Sequence, residues 1–238
     1  MDPQQRQLLE LGYEALHGAG LRRARLAGSD AGIFVGVMSI EFKDALQHTN
    51  TYAFTGLGHC FAAGRLSYLL GLHGICEAID TACSASLVAC HHARKAVMLG
   101  ESPEAMFAGV NMMFLASTTE AYAAAGITSV SGKAYVFDAR ADGFVRGEGC
   151  SASALGQEHA YASSSTLTAS GSAVRQDGRS ASLTAPNGGA QQLLFGTALA
   201  DACMQPADLQ LVEAAANGSK MGDPIEVGAI CGAILLAR

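Results

Sequence analysis

The chain of 238 residues is 50% apolar and 15% charged, with a formal net charge of −6 at pH 7. That length fits one domain or two, and the apolar share is ample for a buried core. An acidic balance with no basic cluster interleaved with aromatics excludes nucleic acid as an expected partner. No apolar run reaches about 18 residues, and the N-terminus lacks a charged segment followed by an apolar one, so neither a membrane span nor a signal peptide is expected. The expected compartment is the cytoplasm, or a plastid if a targeting peptide lies upstream of Met1.

In chain order, residues 4–15 carry the apolar spacing of an amphipathic helix. Gly32-Ile33-Phe34-Val35-Gly36-Val37 reads as a short buried strand, and residues 69–72 with Ile75 and Ile79 read as buried extended structure. Residues 87–99 have helical apolar spacing and stop at Gly100, a C-cap residue. Residues 104–113 give the next strand. Residues 166–172 and 209–213 are expected as strands, with a helix over 191–203 between them. Asp223 and Glu226 mark a helix N-terminus with Pro224 at its first position. The small polar stretch 161–165 is the expected boundary between two pseudo-repeats, 1–160 and 161–238. Such alternation favours a layered α/β fold.

The seven cysteines, Cys60, Cys76, Cys83, Cys90, Cys150, Cys203 and Cys231, are odd in number and widely spread. That pattern suits free thiols in a reducing compartment. No Cys-x-x-Cys occurs, and Cys76, Cys83 and Cys90 are seven apart, which is not a zinc spacing; no metal and no cofactor are expected. A cysteine in an apolar setting is ordinarily a small buried hydrophobe. Cys83 departs from that rule. It lies in Asp80-Thr81-Ala82-Cys83-Ser84-Ala85-Ser86-Leu87, among small residues between an apolar run and a helical segment. At a strand-to-helix turn, free backbone N–H groups and the positive end of the helix dipole favour thiolate over thiol. The small neighbours leave room for an acyl group. Gly56-Leu57-Gly58 has the look of a dinucleotide turn, but no strand precedes it, and no Gly-x-Ser-x-Gly elbow is present.

This octapeptide resembles the nucleophile motif of the β-ketoacyl synthases, the condensing domains of modular polyketide synthases and animal-type fatty acid synthases. Six further segments match the family in the same order: Met1-Asp2-Pro3-Gln4-Gln5-Arg6, Ala63-Gly64-Arg65-Leu66-Ser67-Tyr68, the run from Phe137-Asp138-Ala139-Arg140 to Gly149, Gln176-Asp177-Gly178-Arg179-Ser180, Leu183-Thr184-Ala185-Pro186-Asn187, and Gly222-Asp223-Pro224-Ile225-Glu226-Val227. The resemblance implies the thiolase-like fold, an α/β architecture of two βαβαβ halves with sheets packed across a helical layer, the first half nearly complete here and the second truncated. It implies that Cys83 is the catalytic residue, loaded with an acyl chain from a carrier-protein thioester. A malonyl-type extender then loses carbon dioxide, and its carbanion attacks the acyl-cysteine. The implied partners are an acyl carrier protein bearing acyl and malonyl thioesters and a second copy of the chain, with Ala108-Gly109-Val110-Asn111 at the dimer's sheet edge. By the same resemblance His91 is a packing residue, and Asp142, Arg146 and Glu148 support an ordered loop.

Two departures bear on this expectation. The family carries a catalytic His in a His-Gly-Thr-Gly-Thr stretch, and here the matching segment is Ala215-Ala216-Asn217-Gly218-Ser219, with Ala215 at the position of that His. The family's lysine, second His and C-terminal Gly-rich loop would follow Arg238. Removing one donor of this kind costs about 10²–10³ in rate, so condensation is expected to be lost while acylation of Cys83 survives. Three readings stay open at this point: a ketosynthase-type acyltransferase domain, a decommissioned condensing domain that holds acyl chains or scaffolds its neighbours, and another thiolase-fold enzyme.

Overall fold

The computed structural model describes residues 1–38, 41–46, 50–157 and 167–236. Its helices are α1 (Pro3–Gly18), α2 (Arg23–Leu26), α3 (Glu41–Ala45), α4 (Ala53–Leu57), α5 (Cys60–Leu70), α6 (Ala85–Met98), α7 (Ala116–Ala124), α8 (Gly188–Asp201) and α9 (Gly222–Ile230). Its strands are β1 (Gly32–Val37), β2 (Cys76–Ile79), β3 (Glu104–Asn111) and β4 (Gly149–Gly156). The chain divides into two compact units, Met1–Ala116 with Gly147–Leu167 and Ser117–Arg146 with Thr168–Arg238. The expected boundary at 161–165 lies outside the described residues.

The first unit is built on a mixed sheet in the order β2-β1-β3-β4. β1 runs parallel to β2 and β3, and β4 is antiparallel to β3. Each residue of β1 is buried, which is why its sequence is a continuous apolar run rather than an alternation: both faces of a central parallel strand are covered. Ile33, Val35 and Val37 join Met106, Ala108 and Val110 in a cluster with Leu8 and Leu16 of α1 and Ala63 and Leu66 of α5. Phe34 and Ala105 point the other way, into Ala89, Ala93, Ala96 and Val97 of α6. The period-2 alternation of side chains thus sorts one apolar run into two cores.

Two of the matched segments are cross-links of this unit. Asp2 caps α1 by accepting the Gln4 N–H at 2.8 Å, with Pro3 at the first helical position. The buried Gln4 side chain receives the Met112 N–H at 3.2 Å, and Gln5 receives Arg65 Nε at 3.0 Å. Arg65 also donates to the Thr55 carbonyl at 2.7 Å. Asp2→Ala is expected to destabilise this unit by about 1 kcal/mol, the usual worth of an N-cap, read as a lower urea midpoint.

Several expectations need correction. Residues 69–72 are not extended: Leu69 and Leu70 end α5, and Gly71 (φ 68°) is its left-handed C-cap. Leu66 and Leu70, four apart on one helix face, are both buried, and such spacing with Leu69 between reads as an apolar run. The strand is confined to β2, which is only partly buried. Ala108-Gly109-Val110-Asn111 are interior rather than at a sheet edge, because β4 pairs with the outer side of β3. β4 itself escapes sequence reading because Gly149–Gly156 alternates small residues with too little apolar contrast.

In the second unit α8 and α9 pack against each other. Asn187 caps α8, accepting from the N–H groups of Gly189 at 3.1 Å and Ala190 at 3.2 Å. Pro224 is the third residue of α9 rather than its first. Residues 167–172 and 209–213 form no strand, and Thr166 lies outside the described residues. A strand is defined by its ladder partner, and none flanks these segments among the described residues.

Candidate functional site

β2 ends at Ile79 and α6 begins at Ala85, and the residues between form a tight turn. Asp80 Oδ1 accepts the Ala82 N–H at 3.0 Å. Ser84 Oγ donates to the Thr81 carbonyl at 2.8 Å, and the Ala85 N–H donates to the Ala82 carbonyl at 3.1 Å. Ala82 has φ 54°, a left-handed conformation that costs a non-glycine residue roughly 1 kcal/mol or more. That bend delivers Cys83 one residue ahead of Ser84, the N-cap of α6, and leaves it exposed.

The place in the sheet matters as much as the turn. From β1 the chain moves outward to β2, then α6 carries it back across β1 to β3. Cys83 lies beyond the carboxyl end of β2, where open α/β sheets hold their ligands. Two glycines that sequence reading treated as ordinary strand residues set the seat of α6. Gly36 of β1 and Gly109 of β3 are register partners. A Cβ on Gly36 would stand 2.5 Å from the backbone of Ala85 and Ser86, and one on Gly109 would stand 2.5 Å from Ser86 Cβ. Glycine inside a strand is the available signal, since it marks close approach of another backbone.

Exposure alone does not single out Cys83, because Cys60, Cys76 and Cys203 are exposed too. Burial pushes the Cys150 thiol up to about 11 and raises that of Cys90, where the Arg94 charge acts against the rise. Further along α6, His92 Nδ1 lies 2.8 Å from Glu77 Oε2 of β2, and the His91 ring lies 6.0 Å from that of His92, tilted by 57°. A cavity of about 430 Å³ in this unit is lined by Phe42, Leu46, Tyr52, Leu57 and Arg65 and does not include Cys83.

Ala215 lies in a loop of the second unit that α9 holds by its carboxylates. Glu226 accepts the N–H groups of Ala215 at 2.7 Å and Ala216 at 2.9 Å. Buried Asp223 accepts those of Ser219 at 3.1 Å and Phe137 at 3.0 Å. Asp223 and Glu226 therefore tie loops together, a role wider than the helix N-terminus their sequence suggests. The matched run around Phe137 is likewise a knot of contacts. Arg140 pairs with Asp138, holding its carboxyl well below the usual range through side-chain and backbone hydrogen bonds, and lies 4.4 Å above the Tyr135 ring. Arg146 bonds Thr119 at 2.6 Å, Asp142 accepts from Ser131 at 3.3 Å, and in the first unit Glu148 accepts the Met113 N–H at 2.8 Å. A cavity of about 630 Å³ is lined by Phe137, Ala141, Lys220, Asp223, Pro224 and Val227.

Among the described residues no group of three or more His, Cys, Asp or Glu is placed to hold a metal ion, and no helix is long and apolar enough to cross a membrane.

Comparison with known proteins places these observations. Residues 1–160 match the family described as beta-ketoacyl synthase, N-terminal domain, and residues 167–236 match its C-terminal domain. A phenolphthiocerol/phthiocerol polyketide synthase polypeptide of Mycobacterium tuberculosis is 42% identical over 237 residues, covering 97% of this chain and 15% of that protein. The 6-methylsalicylic acid synthase of Penicillium expansum is 41% identical over 239 residues, covering 98% of this chain and 14% of that protein. The ketosynthase from module 6 of the bacillaene synthase of Bacillus subtilis superposes with TM-score 0.91 at 33% identity over 100% of this chain and 42% of its own. An oxazolomycin ketosynthase domain of Streptomyces albus gives TM-score 0.91 at 30% identity, again over 100% of this chain and 42% of its own. The chain thus spans less than half of the solved ketosynthases and a small part of the curated synthases it matches. By fold and by sequence along both halves, the chain belongs to the β-ketoacyl synthase family.

Proposed function

We propose that this chain is a ketosynthase-type acyltransferase domain in which Cys83 takes an acyl group from a carrier-protein thioester, the loading step for decarboxylative Claisen condensation with a malonyl-type extender. The Cys83 thiolate attacks the thioester carbonyl, the tetrahedral oxyanion collapses, and the carrier's thiolate leaves and takes up a proton. The observation that carries this reading is the position of Cys83, exposed ahead of α6 and beyond the carboxyl end of β2. N–H groups at a helix N-terminus suit both a thiolate and the oxyanion formed beside it. The partners that go with it are an acyl carrier protein and a second copy of the chain, for which β2 offers an edge without a strand neighbour among the described residues. The functional halves would divide at residues 160 and 161.

Ala215 supports a second reading, an acyl-holding domain without condensation. A methyl group offers no proton to an enolate, and the backbone N–H of Ala215 is already given to Glu226.

The test is intact mass after incubation with a short acyl thioester of pantetheine. One acyl group is expected, placed on Cys83 by peptide mapping, with Cys60, Cys76 and Cys203 unmodified although they too are exposed. No adduct, or acyl groups scattered over these cysteines, would remove the assignment.

A further inference from the structure

We infer that Gly36 and Gly109 are positioning residues for Cys83: the missing side chains of this register pair form a seat for the first turn of α6 and thereby fix the thiol relative to the sheet. The two glycines lie side by side on neighbouring parallel strands. They act on consecutive residues of α6, Gly36 against the backbone of Ala85 and Ser86 and Gly109 against the Ser86 side chain. Ala85 is buried there, and Cys83 is only two residues away through a turn whose hydrogen bonds run from Asp80 to Ala85. A methyl group on either glycine overlaps atoms at 2.5 Å, closer than van der Waals contact permits, so the helix start must lift. Lifting moves the first N–H groups of α6 relative to Cys83, and small displacements are costly in a reaction that depends on geometry.

The two contacts differ in kind, which makes the idea testable. Gly109 meets a side-chain atom, so trimming Ser86 relieves an added methyl. Gly36 meets backbone, which no substitution at Ser86 removes. The inference rests on Cys83 as the acyl acceptor for its consequence, yet the seat can be measured without an acyl donor. The full chain would be treated with iodoacetamide at fixed pH, the rate at Cys83 being read by peptide mass spectrometry against Cys60 and Cys203 in the same molecule, and then with the acyl thioester. Gly109→Ala is expected to slow alkylation of Cys83 about threefold and acyl transfer about tenfold or more, with Cys60 and Cys203 unchanged. Adding Ser86→Gly is expected to bring Cys83 back to within about twofold of the wild type, the coupling expected of residues in contact. Gly36→Ala should show the same loss without recovery on adding Ser86→Gly.

An unchanged Cys83 rate in Gly109→Ala overturns the inference, as does failure of Ser86→Gly to restore it, equal recovery of Gly36→Ala, or a parallel change at all three cysteines. Should Gly109→Ala not fold, Ser86→Val crowds the same contact from the helix side and carries the same expectation. If the wild type takes no acyl group while the alkylation pattern holds, the acyl-acceptor reading fails and the seat stands. If the acyl adduct forms and the glycine variants behave as wild type, the seat fails alone.

Discussion

Ala215→His is expected to raise decarboxylation of a malonyl thioester by about a hundredfold, the scale on which one well-placed donor acts on a developing oxyanion. Loss of carbon dioxide from a malonyl thioester leaves an enolate whose oxygen carries the new charge. Stabilising that oxygen as it forms needs a donor, and alanine has none. The wild-type chain should therefore load Cys83 and stop. Ala215 is exposed and its backbone N–H is anchored on Glu226 at 2.7 Å, so a larger side chain displaces no core atom and starts from a fixed Cα. The measurement is carbon dioxide release, with acetyl thioester as the co-product, from the wild type, Ala215→His and Ala215→Phe, the last separating bulk from proton donation. A gain confined to the histidine variant would assign the enolate donor to this position. Equal rates in all three would favour the acyl-holding reading, in which the segment from Ala215 to Met221 has no part in chemistry.

How much of this could be read from sequence differs by element, for physical reasons. β1 was legible to the residue because a strand buried on both faces writes itself as an uninterrupted apolar run. The helix after Cys83 was legible because its apolar residues repeat every three or four positions and Gly100 (φ 73°) stops it, although it starts two residues earlier than its first leucine suggested. Cys83 stood out only through its motif, since a lone thiol among small residues carries no periodic signal. What escaped was contact rather than element. Gly36 and Gly109 are 73 positions apart in sequence, and only the β1–β3 register reveals them as one surface. Asp223 looked like a helix-start residue because local spacing is all a sequence offers, whereas its partner Phe137 lies 86 residues away. Among the described residues, the strands expected at 166–172 and 209–213 failed for the converse reason: β-propensity proposes a strand, but only a neighbour with open hydrogen-bonding groups makes one.

Asp223→Ala is expected to release the loop that carries Ala215. Asp223 is 3% exposed and receives two backbone N–H groups, from Phe137 and Ser219, through separate carboxylate oxygens. A hydrogen bond to a charged group contributes about 1.5–3 kcal/mol, and a buried N–H left without a partner adds its own desolvation cost, so about 3 kcal/mol of local stability should go. Phe137 adds to the effect because its φ of 55° persists only while neighbours hold it. In hydrogen exchange, the amides of Phe137 and Ser219 should open about a hundredfold faster, with β1 and β3 of the first unit unchanged. Asp223→Asn keeps the volume but leaves one acceptor oxygen and sets an amide N–H₂ against the second donor, so it should lie between alanine and wild type. Slow exchange at both amides in Asp223→Ala would mean that other contacts hold the loop. Combining Asp223→Ala with Ala215→His joins the two expectations: a donor on a loosened loop should lose most of its hundredfold gain, because stabilisation of a forming enolate depends on the donor being in place before the charge appears.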